Sequence, residues 1–195
     1  MERLDNSYLL SSALWKKAFS LEEVLKIKEL KNDYVLKKGV IGSANGFEEK
    51  DSVRKSSIFF FNNNEKTSWI FDKVNHCTDK TNREMFGFDL YRSEKAQYTL
   101  YNDSSSDFYR YHWDIFTNRK SLYPQRKLSV VLQLSDFEDY EGGSLLLNEG
   151  GVINEANKSI GSLVFFPSWL VHSIEPVRKG TRESLVFWFE GPNWR

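Results

Sequence analysis

The sequence has little cysteine, no excess charge of either sign and no long apolar run. Its single cysteine, Cys77, cannot form an internal disulfide, which favours a reducing compartment. The 27 basic and 27 acidic residues cancel, which argues against a general nucleic-acid binder. No segment approaches the length of a membrane span, and the charged N-terminus does not resemble a signal peptide. These absences predict a cytoplasmic protein with neither a nucleic-acid nor a membrane partner.

The first part of the chain, residues 1–84, is predicted to be a helical flank with one or two strands, packed on a core. Ser20-x-x-Glu23 forms a capping box that predicts a helix from residue 21 onwards. Another helix is predicted from Trp69, ending just before His76 and Cys77. A helical segment is also predicted before Ser20, from apolar residues at short helical spacings: Leu9, Leu10, Leu14, Trp15 and Phe19.

The second part, residues 85–195, carries a β pattern in which short strands alternate with glycine-containing and polar turns. The candidate strands are residues 86–91, 96–101, 108–116, 128–134, 144–147, 161–166, 170–175 and 182–189. Many short strands at regular spacing predict a sandwich or barrel, and the 15% aromatic content is typical of sheet cores. Neither part contains a repeat or a low-complexity tract. We expect both parts to form one structural domain.

The most informative motif is His112-Trp113-Asp114. Residues two apart on a strand point to the same face, so His112 and Asp114 can offer an imidazole nitrogen and a carboxylate to one point. A third ligand must come from elsewhere, and His172 follows an apolar run that reads as β structure. Two histidines and one carboxylate form the facial triad that holds non-haem Fe(II). A single histidine among aromatic residues is more often a packing residue. The prediction of a metal site therefore depends on the combination of His112, Asp114 and His172.

Arg182 begins the last predicted strand, ten residues after His172. A guanidinium inside a β-barrel is costly unless an anion pairs with it. A carboxylate ligand that accepts two parallel hydrogen bonds would satisfy this requirement. The pattern therefore predicts a metal site with an anchor for an acid beside it. The pair His76-Cys77, in contrast, lacks a second ligand cluster and is predicted to have a surface or packing role.

Across roughly residues 90–190 the chain resembles the 2-oxoglutarate and Fe(II)-dependent dioxygenases, specifically the prolyl 4-hydroxylase-like group. Tyr109–Asp114 resembles the first metal motif of this family, and Tyr140–Leu145 resembles its double-glycine turn. Gly161–Ser168 is similar to the strand and turn before the distal histidine, and His172–Trp188 is similar to the closing motif. The resemblance implies a mainly β fold, with a double-stranded β-helix (jelly-roll) core and N-terminal flanking helices.

The resemblance also implies a ligand set and a reaction. His112, Asp114 and His172 would hold Fe(II), and Arg182 would bind the far carboxylate of 2-oxoglutarate. Tyr101 and Gln133 are matched to further positions that contact this co-substrate. Oxidation of 2-oxoglutarate with O2 to succinate and CO2 would accompany hydroxylation of a C–H bond, with ascorbate as a candidate reductant. The residues predicted to line the substrate pocket are Tyr109, Trp113 and Trp188.

The sequence leaves the identity of the substrate open. A prolyl residue in a peptide or protein is the first hypothesis, and a free amino acid or another small molecule is the second, with the same chemistry. A non-catalytic jelly-roll binding module is a third, which is disfavoured because the triad and the arginine are all present. A metal-binding cupin that does not use 2-oxoglutarate is a fourth hypothesis. It is disfavoured because it would leave Arg182 without an evident partner. The sequence does not predict an oligomeric state.

Overall fold

The computed structural model describes residues 12–43, 46–115 and 124–193. Within these ranges there are two α-helices, α1 (Leu21–Glu29) and α2 (Ser68–Thr81). The strands of the N-terminal part are β1 (Ala13–Trp15), β2 (Lys37–Lys38), β3 (Ile41–Ser43), β4 (Gly46–Glu48), β5 (Arg54–Lys55) and β6 (Ser57–Asn62). The remaining strands are β7 (Lys95–Asn102), β8 (Phe108–His112), β9 (Gln125–Gln133), β10 (Tyr140–Gly142), β11 (Leu145–Glu149), β12 (Val152–Glu155), β13 (Leu163–Pro167), β14 (Val171–Ile174) and β15 (Val177–Gly191).

Two antiparallel sheets face each other and form the body of the molecule. The larger sheet has the order β1-β13-β9-β15-β7-β6-β2, with β10 paired to the first part of β15. The smaller sheet has the order β12-β11-β14-β8-β5, and β3 and β4 form a separate hairpin. Strands that are distant in sequence are neighbours in both sheets, as in a jelly roll. The predicted mainly β fold with a jelly-roll core is confirmed.

Side-chain alternation along the larger sheet gives it two apolar faces. Its outer face packs on α1 and α2 through a cluster that includes Ile27, Phe71 and Phe187. Its inner face meets the smaller sheet in a second cluster, in which Val131 of β9 packs near Leu147 of β11. The predicted N-terminal helices therefore flank the core from outside, and the interior between the sheets is available for a site.

Helix α1 starts where the capping box predicts. The Ser20 side chain accepts a hydrogen bond from the Glu23 amide at 3.2 Å, and the Glu23 carboxylate accepts one from the Ser20 amide at 2.7 Å. Val24 and Ile27 on the buried face of the helix are fully covered. Lys73 of α2 donates to Glu23 at 2.7 Å, which ties the two helices together at this cap. None of the helices among the described residues is both long and apolar enough to span a membrane.

Two secondary-structure predictions are wrong. Leu14 and Trp15 were predicted to be helical, but they lie in β1, which pairs with β13 at the edge of the larger sheet. The apolar residues 86–91 were predicted to form a strand, but Phe86 ends a π-helical turn, and Phe88 and Leu90 pack on the outer cluster outside any strand. A short apolar run fits both the helical and the strand period, so in these two segments tertiary packing determines the secondary structure. Leu9, Leu10, Phe116 and residues 119–123 lie outside the described residues.

Other boundaries differ less. Residues 54–62, in the part predicted to hold one or two strands, form two strands separated at Ser56, β5 and β6, which belong to different sheets. His76 and Cys77 lie within α2 rather than after it. Strand β6 pairs with β7 along six residues, so the first part of the chain contributes directly to the main sheet. The division at residue 84 stays a prediction.

A buried carboxylate on the outer face joins β15 to the helical flank. Glu183 is only 4% exposed. It accepts hydrogen bonds from Lys31 at 2.7 Å and from the Tyr98 hydroxyl at 2.8 Å, and Lys28 lies 3.1 Å away. Burial alone would raise the pKa of Glu183, but these three partners outweigh it and hold the pKa below its ordinary value of 4.5. The ionised carboxylate therefore stabilises the folded protein.

We expect Glu183→Gln to lower the free energy of unfolding by about 1–3 kcal/mol at pH 7, because the hydrogen bonds to a charged acceptor are weakened. A depressed folded-state pKa contributes stability above the unfolded-state value, and this contribution is lost as the pH falls through the folded-state pKa. Urea unfolding at pH 7, 5 and 3 should therefore show the gap between variant and parent narrowing in acid. The exposed Glu138→Gln is the control, with no expected effect. An equal difference in unfolding free energy between variant and parent at every pH would contradict a stabilising role for the ionised Glu183 carboxylate.

Candidate metal centre

Two histidines and an aspartate meet at one point inside the jelly roll. His112 ends β8 and His172 lies in β14, and the two residues are direct partners in the antiparallel register. Asp114 follows β8 by two residues. Its carboxylate oxygens lie 3.8 Å from Nε2 of His112 and 3.6 Å from Nε2 of His172. One ligand atom from each residue lies within 4.8 Å of the other two, so the structure brings together the three predicted residues.

The backbone fixes the orientation of both imidazoles. Nδ1 of His112 lies 2.8 Å from the Arg110 carbonyl oxygen, and Nδ1 of His172 lies 2.8 Å from the Leu170 carbonyl oxygen. A carbonyl can only accept, so each Nδ1–H must donate. This tautomer leaves the lone pair of each Nε2 directed toward Asp114, which is the arrangement that metal-binding histidines adopt.

The aspartate is held in the same way by neighbouring polar groups. Its Oδ2 accepts a hydrogen bond from the Ser129 hydroxyl at 2.7 Å, and Ser129 lies 2.9 Å from the Ser168 hydroxyl. The Asp114 amide donates to the Ser168 carbonyl at 2.8 Å. Burial raises the pKa of Asp114, but the two imidazoles, Arg126 and Ser129 outweigh it and lower the pKa. Burial, together with repulsion from His172, lowers the pKa of His112. The site thus presents a carboxylate and a neutral imidazole at neutral pH.

The aromatic ring of Tyr109 and the buried guanidinium of Arg54 lie beside His112. The Tyr109 ring stacks on His112 with a centroid distance of 3.5 Å. The Arg54 guanidinium lies over the Tyr109 ring, 4.7 Å from its centroid. Arg54 is held by hydrogen bonds to the Ser56 hydroxyl at 2.8 Å and to the Val40 carbonyl at 3.0 Å. Burial raises the pKa of Tyr109 to about 12, so its phenol stays protonated.

A second cation lies in the same interior, at the other predicted position. Arg182 is 2% exposed and shares its side of β15 with Val186, which packs on the inner cluster. Its guanidinium donates to Gln133 Oε1 at 3.2 Å and to the Ser184 hydroxyl at 3.4 Å. Among the residues that the structure describes, no carboxylate lies within 4.0 Å of it. A buried cation with neutral partners is a site for an anion.

The structure places Tyr101 and Gln133 beside Arg182. Tyr101 is the direct register partner of Arg182, and the guanidinium lies 5.6 Å from the centroid of its ring. Gln133 on β9 accepts from Arg182 and donates to the Asn157 carbonyl at 3.2 Å. Their contact with a co-substrate stays a prediction.

The predicted pocket aromatics occupy different environments. Trp188 pairs with Ser129 in the register of β15 and β9, which places it near Asp114, and the Arg126 guanidinium lies 3.9 Å from its ring centroid. Trp113 is 52% exposed and lies between the two ligands in sequence. Tyr109 touches His112 directly. Their role toward a substrate stays a prediction.

Sequence reasoning missed Arg54, Ser129 and Ser168. Ser129 interrupts an apolar strand pattern with a polar residue, which is the signal that was available, whereas Arg54 lies in a polar stretch that gives no such signal. Ser168 was included only as part of a turn. Each acts through a contact between strands that are far apart in sequence, and such contacts are not visible in a local pattern.

Residues 96–190 match the model of the 2OG-Fe(II) oxygenase superfamily, a range that contains His112, Asp114, His172 and Arg182. Over this range the chain is similar to the 2OG-Fe(II) oxygenases. The resemblance seen in the sequence is thereby confirmed.

Curated relatives of this family match over the same region. A PKHD-type hydroxylase of Synechococcus sp. is 38% identical over 88 residues, which is 45% of this chain and 38% of the relative. The PKHD-type hydroxylase YbiX of Escherichia coli is 30% identical over 88 residues, 44% of this chain and 39% of the relative. The alignments thus span well under half the length of these relatives.

Solved structures share the fold over nearly the whole chain. A Pseudomonas putida prolyl-4-hydroxylase superposes with a TM-score of 0.73 at 19% identity, covering 94% of both chains. A Trichoplax adhaerens prolyl hydroxylase, solved with a peptide fragment of hypoxia inducible factor, also gives 0.73 at 17% identity, covering 92% of this chain and 83% of that one. At these identities the likeness concerns the fold, and it extends through the N-terminal flank.

Proposed function

We propose that this protein is an Fe(II)- and 2-oxoglutarate-dependent dioxygenase that hydroxylates a C–H bond and releases succinate and CO2. The observation that carries the proposal is Arg182, a buried guanidinium that lacks an acidic partner in the described chain and shares an interior with a three-ligand site. The metal ligands alone fit many metalloproteins. A dicarboxylate that chelates the metal at one end and binds a guanidinium at the other fits both features.

The donor set suits Fe(II). His112, Asp114 and His172 supply two imidazole nitrogens and one carboxylate, the combination that leaves open positions on non-haem iron. Both Nε2 atoms are free to coordinate because both Nδ1–H groups donate to carbonyls. When bound, the iron supplies the O2 chemistry of this enzyme class.

The protein's own groups would then bind and orient the reactants. Arg182 would hold the far carboxylate of 2-oxoglutarate, with Gln133 and Ser184 fixing the guanidinium. Ser129 would fix the second carboxylate oxygen of Asp114. The inner apolar cluster, which includes Val131 and Leu147, would exclude water from the reacting groups.

We further propose that the substrate is a prolyl residue in a peptide or protein. Two findings support this choice: PKHD-type hydroxylases are among the relatives, and a neighbour in fold was solved with a peptide. The predicted pocket would consist of Tyr109, Trp113 and Trp188. The buried indole nitrogen of Trp188 has no hydrogen-bond partner among the described residues, so it can donate to a substrate oxygen.

The test is succinate formation from 2-oxoglutarate by purified protein under air, with Fe(II), and with ascorbate to keep the iron reduced. Proline-rich peptides are added in one arm, and the same peptides with alanine in place of proline in the matched arm. We expect turnover to rise only with the proline peptides, with a 16 Da gain on the peptide. Turnover that ignores peptides and rises with a free amino acid would assign a small-molecule substrate. No 2-oxoglutarate binding and no turnover would overturn the proposal and favour a binding module.

A further inference from the structure

The smaller sheet ends in a strand whose outer edge is not covered by any other described strand. Among the strands of residues 12–43, 46–115 and 124–193, β12 pairs only with β11. All four of its residues are exposed, and its two apolar side chains, Val152 and Ile153, are 63% and 45% exposed. An open, apolar strand edge is a template on which another strand can pair.

The other outer strands of the two sheets carry or adjoin positive charge. β2 consists of two exposed lysines, Lys37–Lys38, β5 consists of Arg54–Lys55, and Lys16 and Lys17 follow β1 directly. Charged residues, lysine above all, protect sheet edges against pairing, as do proline and β-bulges. β12 contains neither lysine nor proline, and its register with β11 is unbroken. This difference indicates that the edge of β12 is one that another strand covers.

The backbone of β12 determines which groups face this edge. The Ala156 amide donates to the Leu145 carbonyl at 2.9 Å, and the same antiparallel register runs through β12. In an antiparallel pair, hydrogen-bonded positions alternate with positions whose backbone groups point away. Ile153 and Glu155, three residues and one residue before Ala156, therefore direct their amides and carbonyls away from β11, toward the open edge.

These groups suit a second copy of the same strand in antiparallel orientation. Two facing residues exchange hydrogen bonds only if both direct their backbone groups at each other. With a twofold axis at Asn154, Ile153 of each copy would lie opposite Glu155 of the other, and four backbone hydrogen bonds would form. The same surface is used on both copies, as in most symmetric dimers. Between residues 152 and 156, no two like charges would lie opposite each other.

The side chains around β12 favour the same register. Val152 of one copy would lie opposite Ala156 of the other, and Ala156 lines a cavity of about 470 Å³ together with the exposed Phe137. Both valines would thereby leave water. Glu149, at the tip of the β11–β12 hairpin, would approach the end of the second copy's strand, where Lys158 lies. The chain has no net charge, so overall repulsion does not oppose association.

We propose that this protein forms a symmetric homodimer in which β12 of one copy pairs with β12 of the other, joining two five-stranded sheets into one. The dimer is independent of the proposed function, because it involves neither the metal ligands nor Arg182. In the register of the smaller sheet, Asn154 pairs with Leu147, and Leu147 pairs with His172. The dimer axis therefore lies two strands away from the metal site, and each copy keeps its own site.

The test is sedimentation velocity of the full chain over a wide range of protein concentrations. We expect a monomer–dimer equilibrium with a dissociation constant in about the micromolar range, as for a small interface. Ile153→Pro removes an amide that faces the second copy and leaves the hydrogen bonds to β11 in place. The twofold axis doubles this loss to two hydrogen bonds, so dimerisation should weaken by about 10-fold or more.

Val152→Lys places a charge at the same edge and should weaken dimerisation by a similar factor. The matched control is Leu25→Lys, which changes an exposed apolar side chain of α1 and should dimerise like the parent. At concentrations where the parent is monomeric, all three variants should melt like the parent. Dimerisation that persists unchanged in both β12 variants would overturn the proposal, as would a parent that stays monomeric at every concentration.

A substitution at the axis tests the register itself. Asn154 would face the same residue of the second copy at a Cα separation of about 4.5 Å, which a disulfide can span. Asn154→Cys should therefore form a disulfide-linked dimer on mild oxidation. Leu25→Cys should not, and neither should the parent, whose Cys77 is buried. If Asn154→Cys stayed unlinked although the protein dimerised, the two copies would meet elsewhere and the β12 interface would be wrong.

Discussion

His172→Ala is expected to abolish turnover and to weaken metal binding. The Nε2 lone pair of His172 faces Asp114 because the Leu170 carbonyl accepts from Nδ1, and alanine removes this ligand altogether. Changing a residue that only orients a ligand typically costs 10- to 100-fold in metal affinity, so the loss of a direct ligand should cost at least ~100-fold. The affinity is measured by calorimetric titration with Mn(II), and turnover by succinate formation.

The matched control is His76→Ala, which removes the exposed imidazole of α2 and should leave both quantities unchanged. His172 also packs on Phe166, with ring centroids 4.7 Å apart, so its removal could loosen the core. Asp114→Ala serves as a second variant, because it removes a carboxylate at the end of a strand rather than a packed ring. If either folded variant still bound the metal with the parent affinity, the ligand assignment would be wrong.

The three ligands were accessible to sequence reasoning because each depends on a local rule. Strand alternation directs His112 and Asp114 to one face, even though Asp114 lies two residues beyond the end of β8. His172 could be predicted as a ligand because it follows an apolar run typical of a β-strand. In the structure it pairs directly with His112 in the strand register. Arg182 followed from the cost of burying a guanidinium. The strand pattern alone predicted a sandwich or barrel, and the jelly roll followed from the resemblance to the family.

The remaining parts of the site depend on contacts that no local pattern contains. Ser129 binds Asp114 across two strands, and Arg54 reaches Tyr109 from the N-terminal flank. Trp15 could equally well have faced a helix or an edge strand, because three residues do not establish a period. In the structure, Trp15 lies in a strand because β1 pairs with β13. Its indole donates a hydrogen bond to the Thr81 hydroxyl of α2 at 2.8 Å. Such choices depend on tertiary packing and cannot be made from a short apolar run alone.

Arg182→Met is expected to raise the 2-oxoglutarate concentration needed for half-maximal turnover by about 100-fold or more. Removing one partner of a buried ion pair costs about 3–5 kcal/mol, and 1.4 kcal/mol corresponds to a factor of ten in affinity. The affinity for Mn(II) should stay close to that of the parent, because the guanidinium does not contact the metal ligands. This combination separates an anchor for the acid from a structural residue of the metal site.

The unligated protein gives an independent readout of the same change. Methionine replaces a buried guanidinium that has only neutral partners, Gln133 and Ser184. The gain from removing an unpaired buried charge should offset the loss of two hydrogen bonds, so the melting temperature without ligand should be nearly unchanged. Addition of 2-oxoglutarate should then raise the melting temperature of the parent much more than that of the variant. Arg178→Met, which removes an exposed guanidinium from the same strand, should behave like the parent in every assay. Unchanged co-substrate use by Arg182→Met would show that the acid is anchored elsewhere and that the charge of Arg182 serves the fold alone.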